Sequence, residues 1–437
     1  MLELPQFCRH SWCEVYLCAE KLQIVDVSVH VGFSRVLMLT KAQIAVPEHV
    51  HPIELLERLQ KIETQMGRQK TLEKGPRNID LDILLYGDTV YSDSVLSIPH
   101  KLMLEREFVL RPLNDLIPSQ RLPGSKEGLT FHQHLRVLPE NTVPIYSQTV
   151  VSKHITPVIP NDPARRTNIM AILNMTPDSF SDSNDWTNPS KLEPTLQAFK
   201  AAGATIIDIG GQSTRPGATM LSAGEEMTRI LPMIKYIRTR EEYSGIALSV
   251  DTFHASVAAA AVEAGIDLIN DVSGGTMDPD MLPTAAKLGC SMVLMHMRGT
   301  PATMTKLTAY PNGLIPTIAA DLLKRVAAAE AAGIFRWRMI LDPGIGFAKT
   351  GTQNLEVLRR LEELRNWPGL QGIPWLVGTS RKKFISNITG VPTATDTIMG
   401  TAIAVNAAVQ GGADIVRVHD VREMVQAVKM SEALYRF

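Results

Sequence analysis

The chain has 437 residues, with 44 Lys and Arg against 45 Asp and Glu, so its formal net charge is −1. Hydrophobic residues make up 45% of it and charged residues 20%, which excludes disordered, collagen-like and coiled-coil chains. The balanced charge argues against a nucleic-acid or anionic-membrane binder, because both need a basic excess. We therefore expect the partners to be small molecules.

Length and the absence of targeting patterns set the next limits. The chain is longer than one hydrophobic core usually covers, which predicts two or three domains or a large α/β barrel with an addition. No apolar run reaches the roughly 18 residues that a membrane span needs. The N-terminal residues resemble neither a signal peptide nor an Arg-rich transit peptide. We therefore expect no membrane partner and a cytoplasmic location, with a mitochondrial one left open.

The front of the chain contains one helical pattern and two motif-like strings. Residues 1–45 show no pattern that we can assign. They are followed by ELLERLQKIETQMGR (54–68), GPRNIDLDILLYGD (75–88) and IPHKLMLEREFVLRPL (98–113). In the second string Asp80 and Asp82 alternate on a predicted strand, so both carboxylates project to one side. Two such aspartates alone more often form a solvated strand face.

These three segments resemble hydroxymethyl-dihydropterin pyrophosphokinase, a small α+β ferredoxin-like enzyme that uses ATP. The resemblance implies that Asp80 and Asp82 bind Mg²⁺ between the protein and the ATP phosphates. It implies three further phosphate contacts, from Arg77, His100 and Arg106. Phe108 would stack on the pterin.

This chain shows no counterpart of the N-terminal segment with which the kinase family's sequences begin. The family begins with a strand and a glycine-containing turn, and residues 1–45 match neither. We therefore interpret 1–45 as unassigned and 46–123 as a partial kinase domain. Because the remaining strands would lack a pairing partner, we expect weak or residual kinase activity.

A change in composition follows the kinase-like segment. Residues 124–165 contain Pro139, Pro144, Pro157, Pro160 and Pro163 and no sustained helical or alternating pattern. Such a stretch is typical of a connection between domains. We therefore predict a linker over 124–165 and a further domain over 166–437.

Eight short apolar runs recur after the linker, and each ends in polar or glycine residues. They are NIMAILN (168–174), TIIDIGG (205–211), ALSVD (247–251), LIND (268–271), MVLMHM (292–297), MILDPG (339–344), WLVGTS (375–380) and IVRVHD (415–420). Helical segments lie between them, such as 222–240, 254–265, 314–333 and 352–364. This alternation predicts a (β/α)8 TIM barrel, and an open doubly wound sheet is the alternative.

The predicted strands end at side chains that can take part in chemistry. These are Asn174, Asp208, Asp251, Asn270, His296, Asp342, Ser380 with Lys382, and Arg417 with His419. A barrel brings the C-terminal ends of its strands together at one face, where barrel active sites lie. A lone Asp or Asn at such a position is more often a helix cap, but the recurrence of these positions favours a site.

The same strand ends carry strings that resemble dihydropteroate synthase, the pterin-binding barrel of folate biosynthesis. The strings are NMTPDSFSD (174–182), DIGGQSTRPGA (208–218), SVDT (249–252), INDVSGG (269–275), MHMRGTP (295–301), DPGIGFAKT (342–350), GTSRKKF (378–384) and RVHD (417–420). The family usually has Glu where this chain has Gln212, which we interpret as a tolerated change. A synthase behind a kinase resembles the eukaryotic, fungal-type multifunctional folate synthesis proteins.

The resemblance implies a reaction and a set of site residues. The family joins 4-aminobenzoate to 6-hydroxymethyl-7,8-dihydropterin diphosphate and releases pyrophosphate. The implied pterin-binding residues are Asp251, Asn270, Asp342 and Lys382. The implied residues for the diphosphate and 4-aminobenzoate are Phe180, Thr214, Arg215, Ser380, Arg417 and His419. The implied catalytic residues are Asp251, Lys382, Arg417 and His419, with Asn174 as a ligand of Mg²⁺.

Residue chemistry supports some of these roles. A buried carboxylate such as Asp342 can accept two parallel hydrogen bonds from the amidine-like edge of a pterin. Asp251 can stabilise positive charge if the diphosphate leaves before the amine attacks. Lys382 is favoured over Lys383 only by the family pattern, and on residue type alone Phe180 is equally an ordinary core aromatic.

Two loops and the expected partners complete the hypothesis. Residues 176–182 and 213–217 contain Gly or Pro and suit a lid that closes after diphosphate binding. We expect 4-aminobenzoate to bind second and sulfonamides to compete with it, and a homodimer is possible. The alternatives are a pterin-dependent methyltransferase barrel and an inactive pterin-binding paralogue, which release of pyrophosphate would distinguish.

Overall fold

The computed structural model describes residues 22–33, 36–47, 49–65, 79–125, 128–139, 147–175, 192–212 and 220–436, with only the backbone given for 22–45, 79, 80 and 115. The chain divides into two compact units, one within Trp12–Ile145 and the other within Tyr146–Phe437. None of the described helices combines the length and apolar character that a membrane crossing requires.

The first unit contains a three-stranded antiparallel sheet. Strand β1 (Leu22–Phe33) lies in the middle, between β2 (Val36–Pro47) and β3 (Ile79–Tyr86). The β1–β3 register runs from Val25 opposite Tyr86 to Val31 opposite Ile79. The expectation that the kinase-like strands lack a pairing partner is therefore wrong, and the predicted boundary at residue 45 falls inside β2. Residues 25–33, VDVSVHVGF, alternate apolar and polar side chains as a half-buried strand does.

Helices that precede and follow β3 in the sequence pack against this strand. The remaining elements are α1 (Pro52–Gln65), the short strands β4 (Tyr91–Ser92) and β5 (Ser97–Ile98), α2 (Glu107–Leu116) and α3 (Phe131–Val137). Leu55 and Leu59 of α1 pack with Ile83 of β3 in one core, while Leu84 of β3 packs with α2 and α3 in another. Because β3 contributes to two cores, its sequence DILLY is almost wholly apolar.

The second unit is a barrel of eight parallel strands. They are β6 (Asn168–Asn174), β7 (Ile206–Gly210), β8 (Ala247–Asp251), β9 (Leu268–Asp271), β10 (Ser291–Met295), β11 (Met339–Asp342), β12 (Leu376–Val377) and β13 (Ile415–Val418). Their order in the sheet is β11-β10-β9-β8-β7-β6-β13-β12. A parallel bridge between Leu341 and Trp375 joins the two outer strands. The predicted barrel is confirmed, and the open sheet is excluded.

Helices follow the strands as the sequence predicts. They are α4 (Glu193–Ala202), α5 (Ala223–Arg238), α6 (Ala255–Ala264), α7 (Met281–Leu288), α8 (Leu314–Ala331), α9 (Gly351–Arg359), α10 (Leu361–Arg365), α11 (Lys383–Thr389), α12 (Ile398–Gln410) and α13 (Val421–Tyr435). The predicted helix 352–364 is split at Arg360, whose backbone leaves the helical region. Gly203 and Gly265 end α4 and α6 with positive φ, a conformation that glycine adopts without steric cost.

One apolar layer fills the N-terminal end of the barrel. Each strand contributes one buried side chain, from Met170, Ile206, Ala247, Leu268, Val293, Ile340, Leu376 and Ile415. Val151 and Val158, which the sequence places in the linker, are buried in the same layer. The polar side chains at the opposite, C-terminal end therefore lie above an apolar floor.

Asp414 connects three neighbouring segments at the seam of the barrel. Its carboxylate is fully buried and accepts hydrogen bonds from Arg165 Nε and Trp375 N, both at 2.9 Å. Its backbone carbonyl accepts from Asn168 N at 2.9 Å. The residue therefore fixes the starts of β12, β13 and β6 against one another.

We expect Asp414→Asn to destabilise the barrel by about 2 to 4 kcal/mol, because the amide carries an NH₂ group toward one of two donors and leaves Arg165 without its buried counter-charge. Chemical denaturation followed by circular dichroism measures this loss. Asp396→Asn, at an exposed carboxylate of the same unit, is the control and should leave the denaturation midpoint unchanged. Equal stability of the two variants would contradict the role of Asp414.

Candidate active site

Four neighbouring strands place residues at or next to their C-terminal ends side by side at the barrel mouth. In the sheet register Asn174 lies opposite Gly210, Gly210 opposite Asp251, and Asp251 opposite Asn270. A Cβ at Gly210 would lie 3.7 Å from both Asn174 Oδ1 and Asp251 Oδ2. The amide oxygen of Asn174 and the carboxylate oxygen of Asp251 therefore both lie close to this glycine.

Arg417 of β13 links two of the predicted carboxylates. Its Nε donates to Asp208 Oδ2 at 2.6 Å, and its Nη2 donates to Asp251 Oδ2 at 2.7 Å. Asn270 Nδ2 donates to the same Asp208 oxygen at 3.1 Å. The structure thus brings together four predicted residues from four strands in one network.

The network places opposite charges in a buried setting. Burial raises the pKa of Asp251 to about 7, the positive charge of Arg417 opposes this rise, and the negative charge of Asp208 adds to it. Burial by itself lowers the pKa of Arg417, but Asp208 and Asp251 keep that pKa above its usual value. At neutral pH the network therefore contains a permanent cation beside a carboxyl group that can hold or release a proton.

Asp342 ends β11 on the other side of the mouth. Its Oδ1 accepts from Gly344 N at 2.7 Å, and its backbone carbonyl accepts from His296 N at 2.8 Å. Burial raises the pKa of Asp342 to about 6, against the Gly344 hydrogen bond and the charges of Lys382 and Lys349. The carboxyl group is therefore mostly ionised at pH 7 and can accept hydrogen bonds from a ligand.

Lys382 and the last two predicted residues lie on neighbouring segments. Lys382 precedes α11, and its Nζ lies 4.5 Å from the centre of the Phe347 ring, over the loop that follows Asp342. Its charge lowers the pKa values of both Asp251 and Asp342. Ser380 Oγ lies 3.0 Å from His419 Nδ1 and accepts from His419 N at 3.2 Å. These residues thus complete the mouth between β11 and β13.

The structure does not describe three of the predicted residues. Phe180, Thr214 and Arg215 lie outside the described residues, so their roles stay predictions. Among the residues that the structure does describe, no group of three His, Cys, Asp or Glu side chains could bind a metal ion. Asn174 still fits a role with Mg²⁺, because its side chain offers an oxygen ligand and this metal is commonly bound by one or two protein oxygens together with substrate phosphates.

Comparison with known families agrees with this geometry. Residues 170–419, which span the strand ends described above, match the family model of pterin-binding enzymes. The chain belongs to the pterin-binding enzyme family. Residues 39–118 match the model of 7,8-dihydro-6-hydroxymethylpterin-pyrophosphokinase. This match begins inside β2, ahead of the predicted domain boundary.

Individual relatives match either most of the chain or about two thirds of it. A folic acid synthesis protein of Pneumocystis carinii is 44% identical over 90% of this chain, and the match covers 52% of that protein. The chain thus spans about half the length of this relative. A dihydropteroate synthase of Synechocystis is 44% identical over 63% of the chain and 92% of its own length. A Yersinia pestis dihydropteroate synthase solved in a sulfonamide drug complex has a TM-score of 0.58 and 37% identity, covering 64% of this chain and 96% of its own.

The kinase-like unit of this pterin-binding family member positions part of its predicted site. Arg106 precedes α2, and its guanidinium lies 5.6 Å from the centre of the Phe108 ring. His100 N donates to Leu84 O of β3 at 3.0 Å. Asp82 lies on β3 opposite Ser28 of β1, and Asp80 lies opposite His30, with its side chain outside the description. Arg77 lies outside the described residues.

Two buried cations beneath the pterin-binding barrel's mouth have no role assigned from the sequence. Lys349 Nζ lies 3.0 Å from both His296 Nδ1 and Gly344 O and 3.1 Å from Phe347 O. Burial lowers the pKa of Lys349 to about 7 and the pKa of His296 to about 3. His296, predicted among the strand-end residues, thus supports the Asp342 loop from below.

Arg325 of α8 plays a similar part under the neighbouring loops. Its Nη1 donates to Ser273 O at 2.6 Å and also to Met295 O. The available sequence signals were a lysine inside DPGIGFAKT and an arginine on the apolar face of a helix, beside Leu322 and Val326. Both cations connect carbonyl groups of the loops that follow the strands.

We expect Asp342→Asn to stabilise the free protein at pH 8 while it weakens pterin binding. Folding raises the pKa of Asp342, so the folded state binds more protons between about pH 4 and 6 and its stability falls as the pH rises through this window. The non-titrating variant should be more stable than the wild type by about 2 to 3 kcal/mol at pH 8, and the difference should shrink toward pH 4.

Urea denaturation at pH 4.5 and pH 8 measures this difference. Asp280→Asn, at an exposed carboxylate before α7, is the matched control and should show no pH-dependent gain. A stability difference between Asp342→Asn and wild type that does not change with pH would contradict the assignment.

Proposed function

We propose that the barrel condenses 6-hydroxymethyl-7,8-dihydropterin diphosphate with 4-aminobenzoate to 7,8-dihydropteroate and pyrophosphate. The observation that carries this proposal is the convergence of Asp251, Asn270, Asp342, Lys382 and Arg417 at one barrel mouth. The family match and the 44% identity to a dihydropteroate synthase support the same reaction.

The pterin ring is proposed to bind between Asp342 and Asn270. Asp342, ionised at neutral pH, accepts two hydrogen bonds from the donor edge of the ring. Asn270 is held in place by its bond to Asp208 and offers its amide oxygen to the ring. Lys382 donates to the ring carbonyl. The ring is thus fixed at both polar edges before any bond changes.

In the proposed reaction the C–O bond between the methylene carbon and the diphosphate breaks, and a C–N bond to the amine forms. The oxygen departs with the bonding electrons, and the amine nitrogen then loses one proton to solvent or to a nearby base. Asp251 lies beside Arg417, and its negative form stabilises positive charge that develops on the methylene group. Its pKa of about 7 allows either protonation state near neutral pH.

The leaving diphosphate is proposed to bind at the side of the mouth formed by β6 and β13. Asn174 would hold Mg²⁺ there, and the ion supplies positive charge that stabilises the departing oxygens. Arg417 and His419 contact the anion, and two of the five guanidinium donors of Arg417 already serve Asp208 and Asp251. We propose that the diphosphate binds the remaining guanidinium donors of Arg417.

The amine site is proposed to form from Ser380, Phe180 and the two long loops. Ser380 would donate to the carboxylate of 4-aminobenzoate, and Phe180 would contact its ring. Thr214 and Arg215 would reach the diphosphate and order the site only after it binds. The Yersinia pestis neighbour in a sulfonamide drug complex supports competition between sulfonamides and the amine.

We expect the purified chain to release pyrophosphate only when both substrates and Mg²⁺ are present. Asp342→Asn should weaken binding of the pterin diphosphate by about 10- to 100-fold, because it turns an acceptor of two hydrogen bonds into a group with one acceptor. Calorimetry should detect 4-aminobenzoate binding only after the pterin diphosphate, and a sulfonamide should displace it. Tight 4-aminobenzoate binding to the free protein would contradict the ordered scheme.

We propose that the first unit transfers diphosphate from ATP to 6-hydroxymethyl-7,8-dihydropterin. The expectation of weak activity rests on strands that lack a pairing partner, whereas β3 pairs with β1 along the described sheet. The family match over residues 39–118 supports the activity as well. In this reaction the hydroxyl oxygen attacks the β-phosphorus, and AMP leaves with the bonding electrons of the α–β bridge.

We expect AMP formation from ATP, Mg²⁺ and the hydroxymethyl pterin, and a loss on the order of 100-fold in Asp82→Ala, because misplaced phosphates react slowly. Asp88→Ala changes an exposed carboxylate just after β3 and should keep full activity. The barrel variant Asp342→Asn should keep AMP formation too. Unchanged AMP formation in Asp82→Ala would reject this aspartate as a metal ligand.

We propose that the protein is cytoplasmic. We also propose that it forms a homodimer through apolar side chains exposed on the barrel's helices. Ile388 of α11, Met399 and Ile403 of α12 and Met430 of α13 are each at least 60% exposed, although all are large and apolar. Neighbouring helices that expose such side chains are typical of association surfaces. Sedimentation at increasing concentration tests the association.

A further inference from the structure

The loop that follows Asp342 contains a backbone conformation that is uncommon for residues with a side chain. This Asp342 loop, residues 343–350, joins β11 to α9. Gly344, Gly346 and Ala348 have positive φ angles of 69°, 82° and 49°. Glycine adopts such angles freely, but an alanine does so only where the surrounding structure holds it there. The loop therefore needs contacts that keep Ala348 in place.

Lys349 donates to two carbonyl groups of the same loop. Its Nζ lies 3.0 Å from Gly344 O and 3.1 Å from Phe347 O. The third neighbour is His296 Nδ1 at 3.0 Å. Lys349 is 9% exposed and His296 is 0% exposed, so the group is buried. Because an ammonium group has three N–H donors, these three acceptors use all of them.

His296 can accept from Lys349 only if its own proton lies on Nε2. Burial lowers the pKa of His296 to about 3, so the ring is neutral at pH 7 and carries a single N–H. Its Nε2 lies 3.4 Å from Oδ2 of Asp321 in α8, and a carboxylate at this distance favours a proton on that nitrogen. Nδ1 is thus left as an acceptor for the lysine.

The contacts of this loop reach two residues that are proposed to bind the pterin. Gly344 N donates to Asp342 Oδ1 at 2.7 Å, so the position of Gly344 orients this carboxylate. The centre of the Phe347 ring lies 4.5 Å from Lys382 Nζ, and a Cβ at Gly346 would lie 3.1 Å from Lys382 Cδ. One loop therefore contacts the groups at both polar edges of the proposed ligand.

We propose that Lys349 is a positioning residue for the pterin site, which holds the Asp342 loop in its left-handed conformation and thereby aligns Asp342 and Lys382. This inference rests on the proposed synthase function, in which those two residues bind the ring. Without the ammonium group, two buried carbonyl groups lose a donor, and Ala348 loses the contacts that offset its unfavourable backbone conformation. Asp342 then keeps its charge but loses its orientation.

The first test compares the wild type with Lys349→Met, which keeps the length of the side chain and removes its donors. We expect KM and the calorimetric Kd for the pterin diphosphate to rise about 10- to 30-fold, with kcat within about threefold, because a misaligned site binds substrate and transition state equally less well. Lys287→Met, at an exposed lysine of α7, is the matched control and should leave all three constants unchanged.

A second substitution separates this role from a simple loss of packing. Ala348→Gly removes the steric cost of the left-handed conformation, so the loop should depend less on Lys349. Alone, it should leave KM within about twofold of the wild type. Combined with Lys349→Met, it should bring KM back to within about fivefold of the wild type. A defect caused by a cavity at position 349 would not be repaired in this way.

The proton on His296 gives a readout that needs no activity and no variant. Nitrogen-15 spectra of the wild type at pH 7 should show a neutral ring that is protonated at Nε2 and accepts a hydrogen bond at Nδ1. The ring signals are assigned through bonds to the backbone of His296. In Lys349→Met the Nδ1 signal should shift, because this nitrogen loses its donor.

Three results would overturn the inference. They are wild-type KM and Kd in Lys349→Met, a defect in that variant that Ala348→Gly leaves unrepaired, and a proton on Nδ1 of His296 in the wild type. If the wild type releases no pyrophosphate, the proposed function fails. The proton position on His296, and its response to Lys349→Met, then still decide whether the lysine is held as described.

Discussion

The contact of Arg417 with Asp208 and Asp251 is the interaction on which the barrel mouth depends. Three charged groups from three strands lie within hydrogen-bond distance, and Asn270 of a fourth strand joins them. Without the cation, two buried carboxylates would face each other, and their repulsion would add to the cost of their burial. The arginine thus allows acidic side chains to be concentrated where a ligand must be bound.

The loops around the mouth are supported by the same kind of device. Lys349 and Arg325 are buried, and both donate to backbone carbonyl groups of loops that follow strands. Such bonds give irregular backbone the partners that a helix or sheet would otherwise supply. Because these loops carry Asp342 and adjoin Asn270, the geometry of the ligand-binding groups depends on residues that never touch the ligand. At Asp342 the ionised carboxylate, which suits ligand binding, lowers the stability of the unliganded protein, because burial disfavours its charge.

The sequence predicts the barrel well and its supporting residues poorly, for a physical reason. Alternating strands and helices depend on local patterns, and the strand ends carry Asn174, Asp251 and Asp342 as expected. The roles of Lys349 and Arg325 arise from contacts between distant segments, which no local pattern reveals. Residues 25–33 alternate as a strand does, but they share no motif with the opening strand of the kinase family, so the resemblance does not predict β1.

The apolar layer at the N-terminal end of the barrel has a consequence for traffic through the molecule. Side chains from the eight strands, together with Val151 and Val158, fill this end of the barrel. The barrel is therefore closed at its N-terminal end and does not form a channel through these residues. In the proposed reaction, both substrates enter and both products leave at the C-terminal end of the barrel. A ligand bound deep in the barrel could therefore be kept from leaving by a ligand bound above it. The apolar layer at the closed end thus favours ordered entry and exit of ligands at the other end.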